Sequence, residues 1–250
     1  MVESTWTHLR ETLAERGLNH SGVADGRPYQ QILPGCQSVV VFASGGTRLW
    51  ECLLTDLRAN PEHLTHEPNP LDAYVQRTLA QLDPTPDSSR LWVRCAATAE
   101  HFVDFRPLAQ EAGLGWPSRL GLLIDTHWGP WVGLRAACFT TETLATDGPR
   151  VGPGPCEGCE APCQSACPAE AVQPAGWDVE RCSRFHLEST RCLGTCHARL
   201  ACPVGEKHRH GDLQHRYHND RVNGRPALAL SLGIEGDHHE GAGPFWGDWS

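Results

Sequence analysis

Twelve cysteines occur in 250 residues, and eight of them fall between Cys156 and Cys202. They form two runs. The first is Cys156-Glu-Gly-Cys159-Glu-Ala-Pro-Cys163-Gln-Ser-Ala-Cys167-Pro168, and the second is Cys182, Cys192, Cys196 and Cys202-Pro203. Thiolates are soft ligands for zinc and iron–sulfur centres. The start, Met1-Val2-Glu3-Ser4-Thr5-Trp6, shows no basic segment leading into an apolar run. A reducing, cytoplasmic setting is therefore expected, with metal rather than disulfides holding the thiols. Each run places three thiols ahead of a Cys-Pro. That is the pattern of four-iron clusters, whereas zinc sites use two paired knuckles separated by a longer loop.

Where two such runs lie together, the fourth cysteine of each ligates the other run's cluster. The rule predicts cluster I on Cys156, Cys159, Cys163 and Cys202, and cluster II on Cys182, Cys192, Cys196 and Cys167. Cys159 and Cys163 have three residues between them where two are usual, and the second run is wider still. Small residues nearby, Gly158, Ala161, Ala166, Ala169, Gly194 and Ala201, allow backbone N–H groups to approach a bulky inorganic core and donate to its sulfurs. Cys36, Cys52, Cys95 and Cys138 are scattered and read as small buried residues.

The elements that must position these thiols are legible in part. Periodicity and capping predict helices over 5–17, 47–59, 70–82 and 103–112, with Pro107 marking the true start of the last, and a loop over 60–70. Strands are predicted over 38–43, 90–96, 120–125 and 131–139. The last two are expected to pair antiparallel through His127-Trp128-Gly129-Pro130. This mixture predicts an α+β domain over 1–146. The Gly- and Pro-dense stretch Asp147–Pro155 then opens a ferredoxin-like module over 147–212, and 213–250 reads as a polar tail.

The net charge of −9 argues against a grip on phosphate backbones, so nucleic acid is not expected as a partner. No apolar stretch is long enough to span a bilayer, so no membrane partner is expected. No Gly-x-Gly-x-x-Gly follows a strand and no Walker loop is present, so a nucleotide site has no support. His208, His210, His215 and His218 crowd one region and are either metal ligands or a polar surface.

The run Pro107-Leu108-Ala109-Gln110-Glu111-Ala112-Gly113-Leu114-Gly115-Trp116, the strand Gly121-Leu122-Leu123-Ile124-Asp125, and Gly129-Pro130-Trp131-Val132-Gly133-Leu134-Arg135, followed by the cysteine runs, resemble the epoxyqueuosine reductases. That family is related to corrinoid reductive dehalogenases and cobalamin-processing reductases. The resemblance runs from about Ser38 to Cys202. It implies a nitroreductase-like N-terminal domain that binds cobalamin, with two 4Fe-4S clusters feeding electrons to the cobalt. Gly113, Leu114, Gly115, Trp116 and Trp131 would line the corrin; read locally, they are a helix stop, a turn and two core tryptophans.

The chain departs from the family pattern in three places. The family's proton-donating aspartate falls at Ala99, with Glu100, His101 and Asp104 nearby, so no catalytic residue is carried over. Its lysine-like position has no match in Pro117-Ser118-Arg119-Leu120, and its helical-repeat extension is missing from this sequence. The expected function is reduction of a small-molecule or cofactor substrate other than tRNA, fed by a low-potential electron donor. The alternatives are a non-catalytic electron carrier that docks a partner enzyme and a zinc-stabilised binding module.

Overall fold

Ser38-Val39-Val40-Val41-Phe42-Ala43 is apolar without alternation, the signature of a strand covered on both faces. In the computed structural model, which describes residues 2–83, 89–95, 103–220 and 222–235, this run is the central strand β2 (Ser38–Gly45), buried along its whole length. In chain order the first half contains α1 (Val2–Glu15), β1 (His20–Asp25), β2, α2 (Arg48–Ala59), α3 (Glu62–His66), α4 (Pro70–Leu82) and β3 (Arg90–Arg94). After these come α5 (Phe105–Glu111), β4 (Trp116–Pro117), β5 (Leu123–Ile124) and β6 (Val132–Thr140). The main sheet has the order β1-β2-β6-β3, and all its pairings are antiparallel.

Alternate residues of β2 and β6 point to opposite cores. Val40, Phe42, Ala136 and Cys138 face one with Leu13, Leu53 and Leu57 of the helical layer. Val39, Val41, Ala137 and Phe139 face another that includes Phe105 and Leu108 of α5. The result is a sheet between two layers, which is why its central strands are mostly apolar on both faces.

Several sequence expectations are corrected here. The stretch 60–70 contains the short helix α3, started at Pro61. Helix α5 begins at Phe105 rather than Pro107, because the Asp104 side chain accepts from Arg106 N–H at 3.1 Å and caps it. His20–Asp25, unassigned from sequence, is an edge strand whose glycine and polar residues hide its β pattern. The turn between 125 and 129 is real: Asp125 and Gly129 exchange backbone hydrogen bonds at 3.1 and 2.8 Å. However, β5 pairs with β4, and β6 pairs with β2 and β3, so the expected hairpin is limited to that bridge. Cys36 and Cys138 are buried as expected, Cys52 is half-buried, and Cys95 is exposed just past the end of β3.

The cysteine region contains α6 (Pro162–Ala166), β7 (Val172–Gln173), β8 (Gly176–Trp177), α7 (Val179–Glu188) and α8 (His197–Leu200). Its small core comprises Ala161, Cys163, Val172, Ala198 and Cys202 together with Leu120 and Ile124 from the preceding half. The segment from β4 to β5 therefore packs with the cysteine region although it precedes Asp147 in sequence.

The stretch read from sequence as a polar tail over 213–250 contains most of α9 (Asp212–Asn219) and all of α10 (Gly224–Leu232). Leu228 and Ala229 are buried in the N-terminal core with Leu213 and Tyr217 against it. The Tyr217 ring lies 5.1 Å from Trp50, and Arg225 donates to the carbonyls of Leu64 and Pro68. In short helices so few apolar residues reach the core that periodicity does not stand out from the polar background. Residues 236–250 of that expected tail lie outside the described residues. No helix among the described residues is long and apolar enough to cross a membrane.

Candidate functional site

The sequence of each run bends the chain so that its thiols point inward. Ala161 adopts a left-handed conformation, φ 55°, before Pro162 opens α6. Its N–H then donates to Cys159 Sγ at 3.4 Å. In the second half of the run, Ala171 N–H donates to Cys167 Sγ at 3.4 Å. Asp178 caps α7, accepting from Arg181 N–H at 2.9 Å, and so fixes the helix that carries Cys182.

Two adjacent recesses result. The first, with about 340 Å³ of space including its open mouth, is lined by Cys156, Cys159, Cys163 and Cys202 together with Arg119 and Leu120. The second, of about 490 Å³ on the same measure, is lined by Cys167, Cys182, Cys192 and Cys196 together with Leu120, Trp177 and Arg199. Leu120 lines both and separates them. The eight thiols divide into the same quartets as the crossed rule. Among the described residues no group of three or more His, Cys, Asp or Glu could hold a metal ion as placed.

The donor set fits a sulfur-rich cluster. Every side chain in each quartet is a thiol, and backbone N–H groups aim at two of the sulfurs. A guanidinium lies beside each recess, Arg119 at the first and Arg199 at the second. Burial pushes the thiols of Cys163, Cys182, Cys196 and Cys202 up, and that of Cys192 up to about 11. Without metal these five thiols are therefore protonated at neutral pH, and ligating metal through them releases protons.

The five residues assigned to a corrin wall are not gathered around a common opening. Gly113 faces the carbonyl of Gly148, and Gly115 that of Ile124, so closely that an added Cβ would sit 2.6 and 2.5 Å away. Leu114 is buried in the core beside α5. Trp116 packs against the cysteine-region core, its indole N–H donating to Gly152 O at 3.4 Å. Trp131 is fully buried. Of the five, Trp116 is half-buried and the other four are buried. Of the candidates near the proton-donor position, Ala99, Glu100 and His101 lie outside the described residues, and Asp104 is the helix cap of α5.

Around Trp131 the structure assembles groups that sequence only partly signalled. His210 and His215 lie 5.0 and 5.5 Å from its ring, and His218 lies 5.7 Å from His210. Arg199 stacks over the same indole at 4.6 Å. It also donates through Nε and Nη2 to Pro130 O at 3.1 and 2.7 Å. His208 stands apart, its ring tilted against Trp128 at 4.4 Å and His127 at 4.6 Å. Trp131 and Arg199 were not linked to the histidines by any spacing signal.

Burial, with Arg199, His218, His215 and Arg135 adding to it, pushes His210 down to about 2. Burial and then Arg199 lower His215, against a smaller opposite effect of Asp212. Both are therefore neutral in the fold at neutral pH, whereas in the unfolded chain each takes a proton near 6.5. Below that pH the unfolded state binds protons that the folded state refuses. Stability is then full above 6.5 and falls as pH drops toward 2, by at most about 1.4 kcal/mol per pH unit and histidine. Urea midpoints are expected to fall between pH 7 and 5.5, with a shallower fall in His215→Gln. Equal slopes in the two proteins would contradict this.

Asp125, 3% exposed, accepts from the N–H groups of His127 and Trp128 at 2.8 and 2.9 Å. Asp125→Ala strips both donors of their partner and is expected to cost about 2–3 kcal/mol in urea unfolding.

No protein-family model matches the chain. The epoxyqueuosine reductase of Gloeobacter violaceus is 32% identical over 172 residues, covering 66% of this chain and 50% of the relative. The tetrachloroethene reductive dehalogenase of Dehalobacter restrictus is 37% identical over 100 residues, 34% of this chain and 18% of the relative. The matched part thus spans half or less of the length of these relatives. Among solved structures, a selenomethionine-labelled epoxyqueuosine reductase superposes with a TM-score of 0.57 at 15% identity, covering 86% of this chain and 69% of that one. A B12-trafficking protein of C. elegans superposes with a TM-score of 0.57 at 11% identity, covering 93% of this chain and 98% of that one. The sequence resemblance is to epoxyqueuosine reductases and reductive dehalogenases, and the structural likeness to their fold.

Proposed function

We propose that this relative of the epoxyqueuosine reductases and reductive dehalogenases is an oxidoreductase that holds two 4Fe-4S clusters, accepting single electrons from a low-potential donor and passing them to an acceptor on its N-terminal domain. The observation that carries this reading is the separation of eight thiols into two neighbouring recesses. Such clusters supply one-electron transfer when bound. The chain's part is to ligate through the two quartets, to donate N–H groups to the sulfurs of Cys159 and Cys167, and to keep water out with Leu120, Trp177 and Phe185. Hydrogen bonds and burial of this kind set the potential of such a centre. Protein purified and reconstituted without oxygen is expected to carry about eight irons and eight acid-labile sulfides per chain, the sum of two four-iron clusters. Zinc in their place, or neither metal, would overturn the proposal.

Cobalamin is the acceptor to which the relatives point, since one structural neighbour is a B12-trafficking protein. Gly113, Leu114, Gly115, Trp116 and Trp131 do not fit it as placed, and no step is derived through it. Anaerobic titration of the cluster-loaded chain with cobalamin tests that acceptor, and saturable binding would put the corrin on residues other than these five. Absence of binding would leave a different acceptor. A solved epoxyqueuosine reductase holds a tRNA stem loop, but the net charge of −9 favours a small-molecule or cofactor substrate here.

A further inference from the structure

We propose that Trp131, His210, His215, Arg199 and Arg135 form a binding site for an oxyanion, a carboxylate or phosphate group carried by the electron acceptor, immediately beside the second cysteine recess. The location rests on three buried atoms with no hydrogen-bond partner among the described residues: Trp131 Nε1, His210 Nδ1 and His215 Nε2. Trp131 is fully buried and His215 is 4% exposed, so bulk water does not satisfy them. Leaving each such group unpaired is costly, and three within one ring cluster mark a place built for a polar guest.

The sign of that guest follows from the charges around it. Arg199 and Arg135 both bear on His210. Arg199 has no carboxylate among the groups that act on it, only the Cys196 thiol and Arg135. Among the described residues the carboxylates that bear on these groups are Asp72, 3.9 Å from Arg135, and Asp212, on the exposed first turn of α9 and acting on His215. Indole N–H and guanidinium groups only donate, and a neutral imidazole can turn a donor inward. Such a lining rejects a cation and suits an anion, because a half-buried guanidinium is stabilised most by a paired, hydrogen-bonded oxyanion. The histidines that sequence offered as metal ligands thus read as part of an anion site.

Arg199 also lines the second recess, so an anion held here lies next to the quartet of Cys167, Cys182, Cys192 and Cys196. The role as an acceptor site rests on the proposed electron transfer; anion binding itself does not. The test is calorimetric titration of the cluster-loaded full chain with inorganic phosphate, and separately with acetate, at constant ionic strength. One saturable anion per chain is expected. Affinity should weaken about tenfold or more in Arg199→Gln and in His210→Phe, as loss of a charge-assisted bond implies, and stay unchanged in Arg181→Gln on the exposed surface. A preference for phosphate or acetate identifies the group the acceptor carries.

No saturable binding by the wild type, or equal binding by both site variants, would overturn the proposal. So would zinc binding that His210→Phe abolishes. Circular dichroism and iron content check the variants. If Arg199→Gln loses iron, His210→Phe and Arg135→Gln carry the comparison, and the wild-type stoichiometry decides if those unfold. Iron content and anion binding are separate readouts, so failure of one proposal does not imply failure of the other.

Discussion

Cys202→Ser is expected to remove iron from the same cluster as Cys156→Ser, although 46 positions separate the two residues. Cys167→Ser should act with Cys182→Ser, Cys192→Ser and Cys196→Ser. The reason is geometric: Cys202 lines the recess of Cys156, Cys159 and Cys163, and Cys167 lines the other. A serine oxygen is a harder and less readily ionised ligand than a thiolate, so each substitution should leave about half the iron and labile sulfide. Electron paramagnetic resonance of the reduced variants checks the grouping. Spectra that grouped Cys202→Ser with Cys182→Ser would refute the crossed assignment. Because metal ligation contributes folding free energy in small sites, the module should also unfold at lower denaturant. Iron content is therefore read on freshly reconstituted protein.

Gly129→Ala and Gly205→Ala are each expected to destabilise the chain by about 3 kcal/mol or more, among the larger effects of single substitutions. These glycines face each other where the turn before β6 meets the segment after Cys202. A Cβ on Gly129 would lie 2.0 Å from Val204 O, and one on Gly205 2.3 Å from Trp128 O. Both also have left-handed backbones, φ 62° and 67°, which cost a residue bearing a Cβ about 1–2 kcal/mol before any clash. Backbone cannot move aside as a flexible side chain does, so the two parts must separate. The same contact brings His208 onto Trp128 and aligns Arg199 with Pro130 O. Loss of stability in urea should therefore come with loss of the anion affinity proposed above. A variant as stable as the wild type would show that this contact does not hold the parts together.

Much of the fold was legible because local rules agreed with tertiary demands. Pro70–Leu82 is a helix over its expected span, since Pro70 suits the first turn and apolar Leu71, Val75 and Leu79 recur on one face. The central strands were visible as uninterrupted apolar runs. What failed was partner choice. The residues 120–125 and 131–139 flank a good turn, but β6 is longer and more apolar than β5, and it is buried by pairing with β2 and β3 on either side. Turn chemistry specifies a reversal without specifying which strands continue through it. The corrin wall was read from a resemblance, and in the fold its glycines permit close approach of the chain's own carbonyls.

The sequence by itself determined the chemistry available to this protein: eight soft ligands in two proline-closed runs, little basic charge, and a β2 strand that must be covered on both faces. These follow from residue type and near-neighbour spacing, which covalent order fixes. Only the tertiary structure decided that Leu120 stands between the two quartets and that α9 and α10 complete the N-terminal core. It also decided that His210 and His215 lose their water against Trp131 and Arg199. Burial and charge environment are properties of groups distant in sequence, and they are set when packing removes solvent from between them.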